Sequence, residues 1–220
     1  ERRGVQQMYA SQVSPAKITP PLPKTHVLRR PALAKKLRFL HHVGFCLVHA
    51  EMGYGKTTSV STFLADAGMA ACWYFISEED QELLVFVHHL RESIRRVDPE
   101  FGASLLEETE RMLSNGAERT AEAAGELFVR AMFSQEREYV LVLDQYQHVR
   151  PGGEVDRFVQ SLAKALPPLV KLVLISRTRP GWPELDLKAA RGECLELSTE
   201  DLVFNREESE IFYLDAYDVT

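Results

Sequence analysis

The sequence predicts an α/β protein, a three-layer sandwich in which helices cover both faces of a mostly parallel central sheet. Short apolar runs alternate along the chain with segments whose apolar residues recur at helical spacing. The run Tyr139–Leu143 is unbroken, which is typical of a strand buried on both faces of a parallel sheet. Between Phe45 and Ala67 an apolar run, a glycine-bearing turn and an amphipathic segment follow one another, and this order predicts a strand, a tight loop and a helix.

The remaining elements follow from the same two periodicities. The predicted strands are short apolar runs, namely Phe45–His49, Ala71–Ile76, Tyr139–Leu143, Leu172–Ile175 and Cys194–Leu197. The predicted helices have apolar residues three and four positions apart, and they cover about residues 31–40, 56–67, 83–97, 101–113, 119–133 and 155–166. Asn205 and Glu208 have the spacing of a capping box, which predicts that another helix begins there.

The loop after the first strand predicts a phosphate-binding site of the P-loop kind. Its glycines let the backbone curl so that successive N–H groups face one anion, and the following helix adds its positive N-terminal end. A lysine next in line can reach phosphate oxygens, and a hydroxyl after it can bind Mg²⁺. The residues expected to bind the cofactor here are Gly53, Tyr54, Gly55, Lys56, Thr57 and Thr58. Ala50 stands where the usual pattern has glycine, and the alternative is a chance Gly-Lys-Thr in a surface turn.

Two other strand ends carry residues suited to phosphate chemistry. Asp144 ends an apolar run as the carboxylate of a Walker B strand does, so Thr57 and Asp144 are the expected Mg²⁺ ligands. Gln145 stands where many ATPases of this class have a second acid, and since an amide orients water but is not a base, slow turnover is expected. Arg177 could face a γ-phosphate, although it could also be a surface arginine paired with an acid. The catalytic candidates are therefore Asp144, Gln145 and Arg177.

Charge and cysteine content limit the choice of partners and compartment. The first 40 residues hold nine lysines and arginines against one acid, whereas the rest of the chain is acidic and the net charge is −6. A basic arm can bind nucleic acid, but the acidic balance and the lack of interleaved aromatic residues favour contact with the acidic body or with bound phosphates. Three widely spaced cysteines indicate free thiols in a reducing compartment. With no membrane-spanning or signal segment in the sequence, a cytoplasmic protein without a membrane partner is expected.

The sequence predicts three regions. Residues 1–24 should be a flexible basic lead-in with a proline-rich connector, residues 25–205 the P-loop nucleotide-binding domain, and residues 206–220 the start of a following helical region. Because the chain begins with Glu1 and ends inside a predicted helix, we expect a fragment of a longer protein whose downstream domains are missing here.

Four stretches together resemble the nucleotide-binding domain of the STAND signal-transduction ATPases, in particular the MalT-type large ATP-binding regulators of the LuxR class. They are Val27–Leu33 with its Arg30-Pro31 pair, Gly53–Thr58, Val142–Tyr146 and Leu174–Arg177. The resemblance implies an ATP-controlled switch in transcription regulation that binds ATP or ADP with Mg²⁺. It also places Arg30 near the adenine base and implies ATP-dependent self-association of the full-length protein. The family usually has a second aspartate where this chain has Gln145, which bears on hydrolysis more than on binding.

Other function classes stay open on the sequence alone. A conventional P-loop ATPase or kinase domain is one alternative, but no arginine-bearing lid or acceptor pocket is recognisable. An interaction scaffold with a degenerate loop is another, although Lys56, Thr57 and Asp144 argue for retained nucleotide binding. The acids at positions 78–80 follow a predicted strand, where they either help to activate water or form a solvated loop. The DNA-binding parts of such regulators are not recognisable in these 220 residues, so no direct DNA binding by this chain is expected.

Overall fold

A single parallel sheet organises the protein. The computed structural model describes residues 13–22, 28–114, 120–134 and 136–217. The strands are β1 (Phe45–His49), β2 (Ala71–Phe75), β3 (Tyr139–Asp144), β4 (Val170–Ser176) and β5 (Cys194–Leu197). They lie in the order β2-β3-β4-β1-β5, and every neighbouring pair is parallel. The predicted α/β sandwich with a parallel sheet is confirmed.

Helices connect and cover the strands. They are α1 (Pro31–Leu37), α2 (Lys56–Asp66), α3 (Leu83–Arg95), α4 (Leu105–Ser114), α5 (Thr120–Phe133), α6 (Glu154–Lys164), α7 (Pro183–Ala190), α8 (Thr199–Leu202) and α9 (Arg206–Tyr217). Short 3₁₀ turns occupy Pro15–Lys17, Arg38–His41 and Tyr146–His148. No helix in the described ranges is long and apolar enough to cross a bilayer.

The two faces of the sheet build two hydrophobic cores. Along β1, Phe45 and Leu47 point into a core shared with α3 to α7, whereas Cys46 and Val48 point into a core shared with α1, α2 and α8. This alternation follows from the strand pleat, which sends successive side chains to opposite faces. Residues of β3 and β4 are buried throughout, as expected for strands covered on both sides.

Most helices lie where the periodicity predicts them, and the differences have local causes. Helix α4 begins at Leu105 rather than near residue 101, because a turn through Gly102 with a φ of +58° precedes it. Helices α7 and α8 were not predicted from the sequence. Each buries one residue, Leu185 and Leu202 respectively, so neither produces a recognisable apolar stripe. The predicted capping box opens α9: the Glu208 N–H donates to Asn205 Oδ1 at 2.8 Å, and the Asn205 N–H donates to Glu208 Oε2 at 3.0 Å.

Part of the segment expected to be a flexible lead-in makes specific contacts. Ile18 is buried, and the Lys17 ammonium donates to both carboxylate oxygens of Asp80 at 2.8 and 2.9 Å and to Ser77 Oγ at 2.8 Å. Asp80 is itself buried and also accepts the Ser77 N–H. Residues 1–12 and 23–24 of that region lie outside the described residues. The acid at position 80 is therefore engaged by the lead-in rather than forming a solvated loop.

The close packing of α5 on α6 gives a stability prediction. A Cβ at Gly125 would lie 2.6 Å from Ser161 Cβ and 2.9 Å from the Phe158 carbonyl oxygen, and the backbone of α6 cannot yield without repacking. Gly125→Ala should therefore lower the free energy of unfolding by about 1–3 kcal/mol, although alanine is the better helix former. Urea denaturation measures the change.

Gly44→Ala is the matched control, since its added methyl would meet Leu166 Cδ1 at 4.0 Å, an ordinary contact. We expect a change near zero for Gly44→Ala. A Gly125→Ala protein as stable as wild type would show that α5 and α6 are not in close contact at this point.

Candidate functional site

A cleft of about 280 Å³ lies at the carboxyl edge of the sheet, where ligands bind in open α/β folds. Three segments build it: the loop after β1 with the start of α2, the end of β3 with its turn, and the end of β4. The lining residues are Met52, Gly53, Gly55, Lys56, Thr57, Thr58, Asp144, Gln145, Gln147, Ile175 and Arg177. Eight of the ten sequence-predicted site residues thus meet in one place, and Tyr54 and Arg30 are not among the lining residues.

The loop between β1 and α2 has the curled backbone that a phosphate cradle needs. Gly53 and Gly55 have φ angles of +93° and +69°, in the region that favours glycine. Gly55 is the N-cap residue of α2, so the unpaired N–H groups of the first helical turn face the cleft edge. Ala50, where the usual pattern has glycine, is buried at the start of the loop.

Lys56 is folded back over this loop. Its ammonium donates to the carbonyl oxygens of Ala50 at 2.6 Å and Glu51 at 2.8 Å. Burial lowers the pKa of Lys56, the charge of Asp144 opposes that shift, and the charge of Arg177 adds to it. The ammonium is thus held against the loop, in a cleft that Asp144 and Arg177 also line.

Asp144 joins the end of β3 to the first turn of α2. The Thr57 hydroxyl donates to Asp144 Oδ2 at 2.8 Å, and the Gln145 N–H donates to Oδ1 at 2.8 Å. The carboxylate is buried, with 2% of its residue surface exposed. Burial raises the pKa of Asp144, while the hydrogen bonds from Thr57 and Gln145 oppose the rise. Ionised Asp144 is therefore a destabilising group in the ligand-free fold.

The Thr57–Asp144 pair fits a magnesium ion. A hydroxyl and a carboxylate are the hard oxygen ligands that Mg²⁺ prefers, and here they are already in contact. Within the described ranges no group of three or more His, Cys, Asp or Glu side chains could hold a metal. Further ligands for Mg²⁺ would accordingly be oxygens of phosphate or water, as is usual for this ion.

Gln145 lines the cleft from the turn after β3, and Arg177 lines it from the end of β4. Gln145 has a φ of +64°, the left-handed region that residues other than glycine seldom adopt, and its side chain is exposed. Arg177 is exposed as well, and its backbone N–H donates to Gln147 Oε1 at 3.1 Å. Gln147 thus links the turn after β3 to the end of β4 and also lines the cleft. Sequence reasoning missed Gln147, because no spacing rule distinguishes it from a surface glutamine.

Arg30 directly precedes α1 and is not among the residues that line the cleft. Its guanidinium binds Glu208 through Nε–Oε1 at 3.0 Å and through a second nitrogen to Oε2 at 3.1 Å. It also donates to the carbonyl oxygens of Leu202 and Val203, both at 2.9 Å, and lies 5.0 Å above the Phe204 ring. Arg30 lines a separate cavity of about 480 Å³ between α1 and α2.

The buried charge of Asp144 gives a pH-dependent prediction. Because its pKa is raised, the folded chain retains a proton that the unfolded chain loses near the ordinary value of 3.8. Wild-type stability should therefore fall as pH rises through the raised pKa. The Asp144→Asn protein does not lose stability in this way, because its amide does not ionise. In the absence of nucleotide it should therefore be more stable than wild type at pH 7, by on the order of 0.5–2 kcal/mol, and the difference should be smaller near pH 4. Urea denaturation across this pH range measures the difference.

Asp80→Asn serves as the control, because Asp80 is equally buried but ion-paired with Lys17. Its replacement should destabilise the fold at pH 7. A stabilisation by Asp144→Asn that is equal at pH 4 and pH 7 would contradict the assignment of the effect to ionisation.

Comparison with known proteins finds similar transcriptional regulators and a similar solved structure. No protein-family model matches the chain. The HTH-type transcriptional regulators MalT of Vibrio campbellii and of Vibrio parahaemolyticus are each 26% identical over 207 residues, covering 90% of this chain. The chain spans about a fifth (21%) of the length of these curated relatives. Among solved structures, a Walker-type ATPase of Pyrococcus abyssi matches with a TM-score of 0.48 and 15% identity, over 90% of this chain and 62% of that one.

The sequence similarity covers the loop after β1, the end of β3 and the end of β4, which the structure brings to one cleft. The chain is thus similar to these MalT regulators over a range that includes the glycine-bearing loop and both strand ends of the cleft.

Proposed function

We propose that this domain binds ATP and ADP with Mg²⁺ and acts as a regulatory switch with slow hydrolysis, in a regulator of transcription. The contact between Thr57 and Asp144 carries the proposal. It supports the proposal because the two side chains would form a metal-binding pair next to a glycine-bearing loop, in the cleft that Lys56 and Arg177 also line. A scaffold that had lost nucleotide binding would have no use for an ionisable group that burial disfavours, as it does Asp144.

Phosphate binding would exchange one set of partners of Lys56 for another. In the ligand-free protein the ammonium is held by two loop carbonyls, and phosphate oxygens are stronger acceptors because they are charged. The N–H groups at the start of α2 would complete the cradle. Thr57 and Asp144 would hold Mg²⁺, which when bound neutralises charge on the β- and γ-phosphates.

The cavity between α1 and α2 is the proposed place for the adenine base. It begins at Ser59, the residue after the cleft-lining Thr58, so the two spaces follow one another along α2. Thr62 lines it with a buried Oγ1 that has no hydrogen-bond partner in the described part of the chain. A hydroxyl both donates and accepts, as the edge of adenine requires. Arg30 would border the base, with its guanidinium still held by Glu208.

Arg177 would distinguish ATP from ADP. Its guanidinium makes no ion pair with the described residues, and its positive charge lowers the pKa of Lys56. A contact made to the γ-phosphate alone favours ATP and leaves ADP binding nearly untouched. Such a difference in affinity is what any nucleotide-controlled switch requires, since a ligand shifts an equilibrium only through differential contacts.

The regulatory setting of the domain comes from its relatives. Both Vibrio relatives are described as transcriptional regulators, and this chain matches about a fifth of each. By analogy, we propose that segments beyond this domain supply the output, and that ATP binding promotes self-association of the longer protein. For this chain alone we propose no direct contact with DNA, and mobility-shift assays at several salt concentrations would expose any such binding.

Lys56→Ala tests nucleotide binding directly. The substitution removes the positive side chain that would face the phosphates. Losing one charged hydrogen-bond partner costs about 1.5–3 kcal/mol, which corresponds to a tenfold to hundredfold weaker affinity for ADP. Titration calorimetry with ADP and Mg²⁺ measures the affinity.

Lys164→Ala is the matched control, since that lysine is exposed on α6 and pairs with Glu184 at 3.0 Å. The Lys164→Ala protein should bind ADP with the same affinity as wild type. Equal affinity of the Lys56→Ala and wild-type proteins would exclude a P-loop function for this loop.

Gln145→Asp tests why hydrolysis should be slow. Aspartate tolerates the left-handed backbone of this position and would add a carboxylate able to accept a proton from water. General-base catalysis contributes roughly 10²–10⁴-fold, so we expect the single-turnover rate of ATP hydrolysis to rise by at least about tenfold.

Gln145→Asn keeps an amide and also tolerates the backbone, so its rate should stay near that of wild type. A wild-type turnover of about 10 s⁻¹, the median for enzymes, would show that hydrolysis is not limited by this residue.

A further inference from the structure

A buried carboxylate outside the cleft holds together two of the loops that line it. Asp156, in the first turn of α6, has 5% of its surface exposed. Its Oδ1 accepts the Tyr146 hydroxyl at 2.7 Å and Trp182 Nε1–H at 2.8 Å. Its Oδ2 accepts the Gly152 N–H at 2.8 Å and the Gln160 amide at 3.0 Å. Four donors on one carboxylate fix its position and orientation.

The two donors on Oδ1 come from different loops. Tyr146 directly follows Gln145 in the turn after β3, and Trp182 closes the loop that begins with Arg177 after β4. Both side chains are buried, and their rings meet edge to face with centroids 5.6 Å apart. Asp156 therefore joins the loop that carries Gln145 to the loop that carries Arg177.

Two further contacts restrain these loops, one between them and one from the second loop to β5. The Arg177 N–H donates to Gln147 Oε1 at 3.1 Å, directly across the two loops. Arg179 donates from Nε to Glu196 Oε1 at 2.8 Å, which ties the middle of the second loop to β5. Backbone movement at Arg177 would consequently disturb the turn after β3 as well.

The strained backbone of Gln145 needs such support. A residue other than glycine in the left-handed region persists only where its surroundings hold it there. Gln145 is exposed, so its own side chain packs against little. The neighbouring Tyr146 is the buried residue of the turn, and its hydroxyl ends on Asp156.

We propose that Asp156 is a positioning residue for the γ-phosphate half of the site. Acting through Tyr146 and Trp182, it holds Gln145 and Arg177 at the cleft, while the phosphate cradle formed by Lys56 and the loop after β1 does not depend on it. The inference rests on the proposed function and adds to it a residue that never touches the nucleotide. Loss of the Asp156 charge should then weaken ATP binding selectively.

Asp156→Asn tests the proposal by its effect on two ligands. An amide accepts through one atom and donates through the other, so the four donors can no longer all be satisfied. We expect the affinity for a non-hydrolysable ATP analogue to fall about tenfold, and the affinity for ADP to stay within about twofold of wild type. Tyr146→Phe and Trp182→Phe each remove one donor and keep a ring, so they should show the same selectivity to a smaller extent. Arg177→Ala is the reference for complete loss of the γ-phosphate contact.

Asp80→Asn is the matched control for a buried carboxylate. It loses the Lys17 pair but touches neither loop, so the protein should be less stable while its ratio of ATP-analogue to ADP affinity stays unchanged. An unchanged ratio in Asp156→Asn and in both single-donor variants would overturn the proposal, and so would equal losses for the two nucleotides.

Hydrogen exchange gives a second readout without nucleotide. In Asp156→Asn the amides of residues 145–149 and 177–182 should exchange faster together, while those of residues 50–58 keep the wild-type rate. Faster exchange in one loop alone would show that Asp156 does not couple them. If the wild-type protein bound neither nucleotide, the proposed function itself would be wrong. If the Asp156→Asn protein still distinguished the ATP analogue from ADP as wild type does, only the positioning role of Asp156 would be wrong.

Discussion

The site depends on the hydrogen bond between Thr57 and Asp144. Thr57 lies at the start of the helix after β1 and Asp144 ends β3, and these two strands are not neighbours in the sheet. β4 lies between β1 and β3 in the sheet, so the contact must pass above the end of β4. The register permits this, because His49 pairs with Ser176 and Asp144 with Ile175, so all three strands end within one residue of each other. A slip of one residue in β3 would send Asp144 to the other face of the sheet. The positions of the cleft residues therefore depend on the register of β1, β3 and β4. Most side chains of these strands are themselves buried and apolar.

Local patterns in the sequence were enough to predict the framework. Each strand contains a short apolar run, and the loop before Lys56 needs glycines for its positive φ angles, so both are recognisable within a few residues of sequence. Contacts between distant segments leave no such trace. Lys17 pairs with an aspartate 63 positions away, and Trp182 bonds one 26 positions away. Because neither pair follows from a spacing rule, the docked lead-in and the hydrogen bonds around Asp156 became visible with the fold and not before.

Among the described residues, three aspartates are buried, and each has different partners. Asp80 has a lysine and Asp156 has four donors, so burial leaves each with compensating partners. Asp144 accepts from Thr57 and from the Gln145 N–H and is also stabilised by the charge of Lys56, yet burial still raises its pKa, and it lies at the cleft. Burial is thus incompletely offset at the carboxylate of the cleft. This is the pattern expected where a group is kept for a ligand rather than for the fold.

The contact of Arg30 with Glu208 has a mechanical consequence. It fastens the beginning of the first helix to the first turn of the last one, and both side chains are nearly buried, with 9% and 10% exposed. Breaking a buried ion pair by removing one partner costs about 3–5 kcal/mol, and the same guanidinium also donates to three backbone carbonyls of residues 201–203, just before α9. Helix α9 should therefore detach from the start of α1 in one step, when this ion pair breaks. A pulling force applied at the end of α9 would have to exceed a threshold before the helix detached.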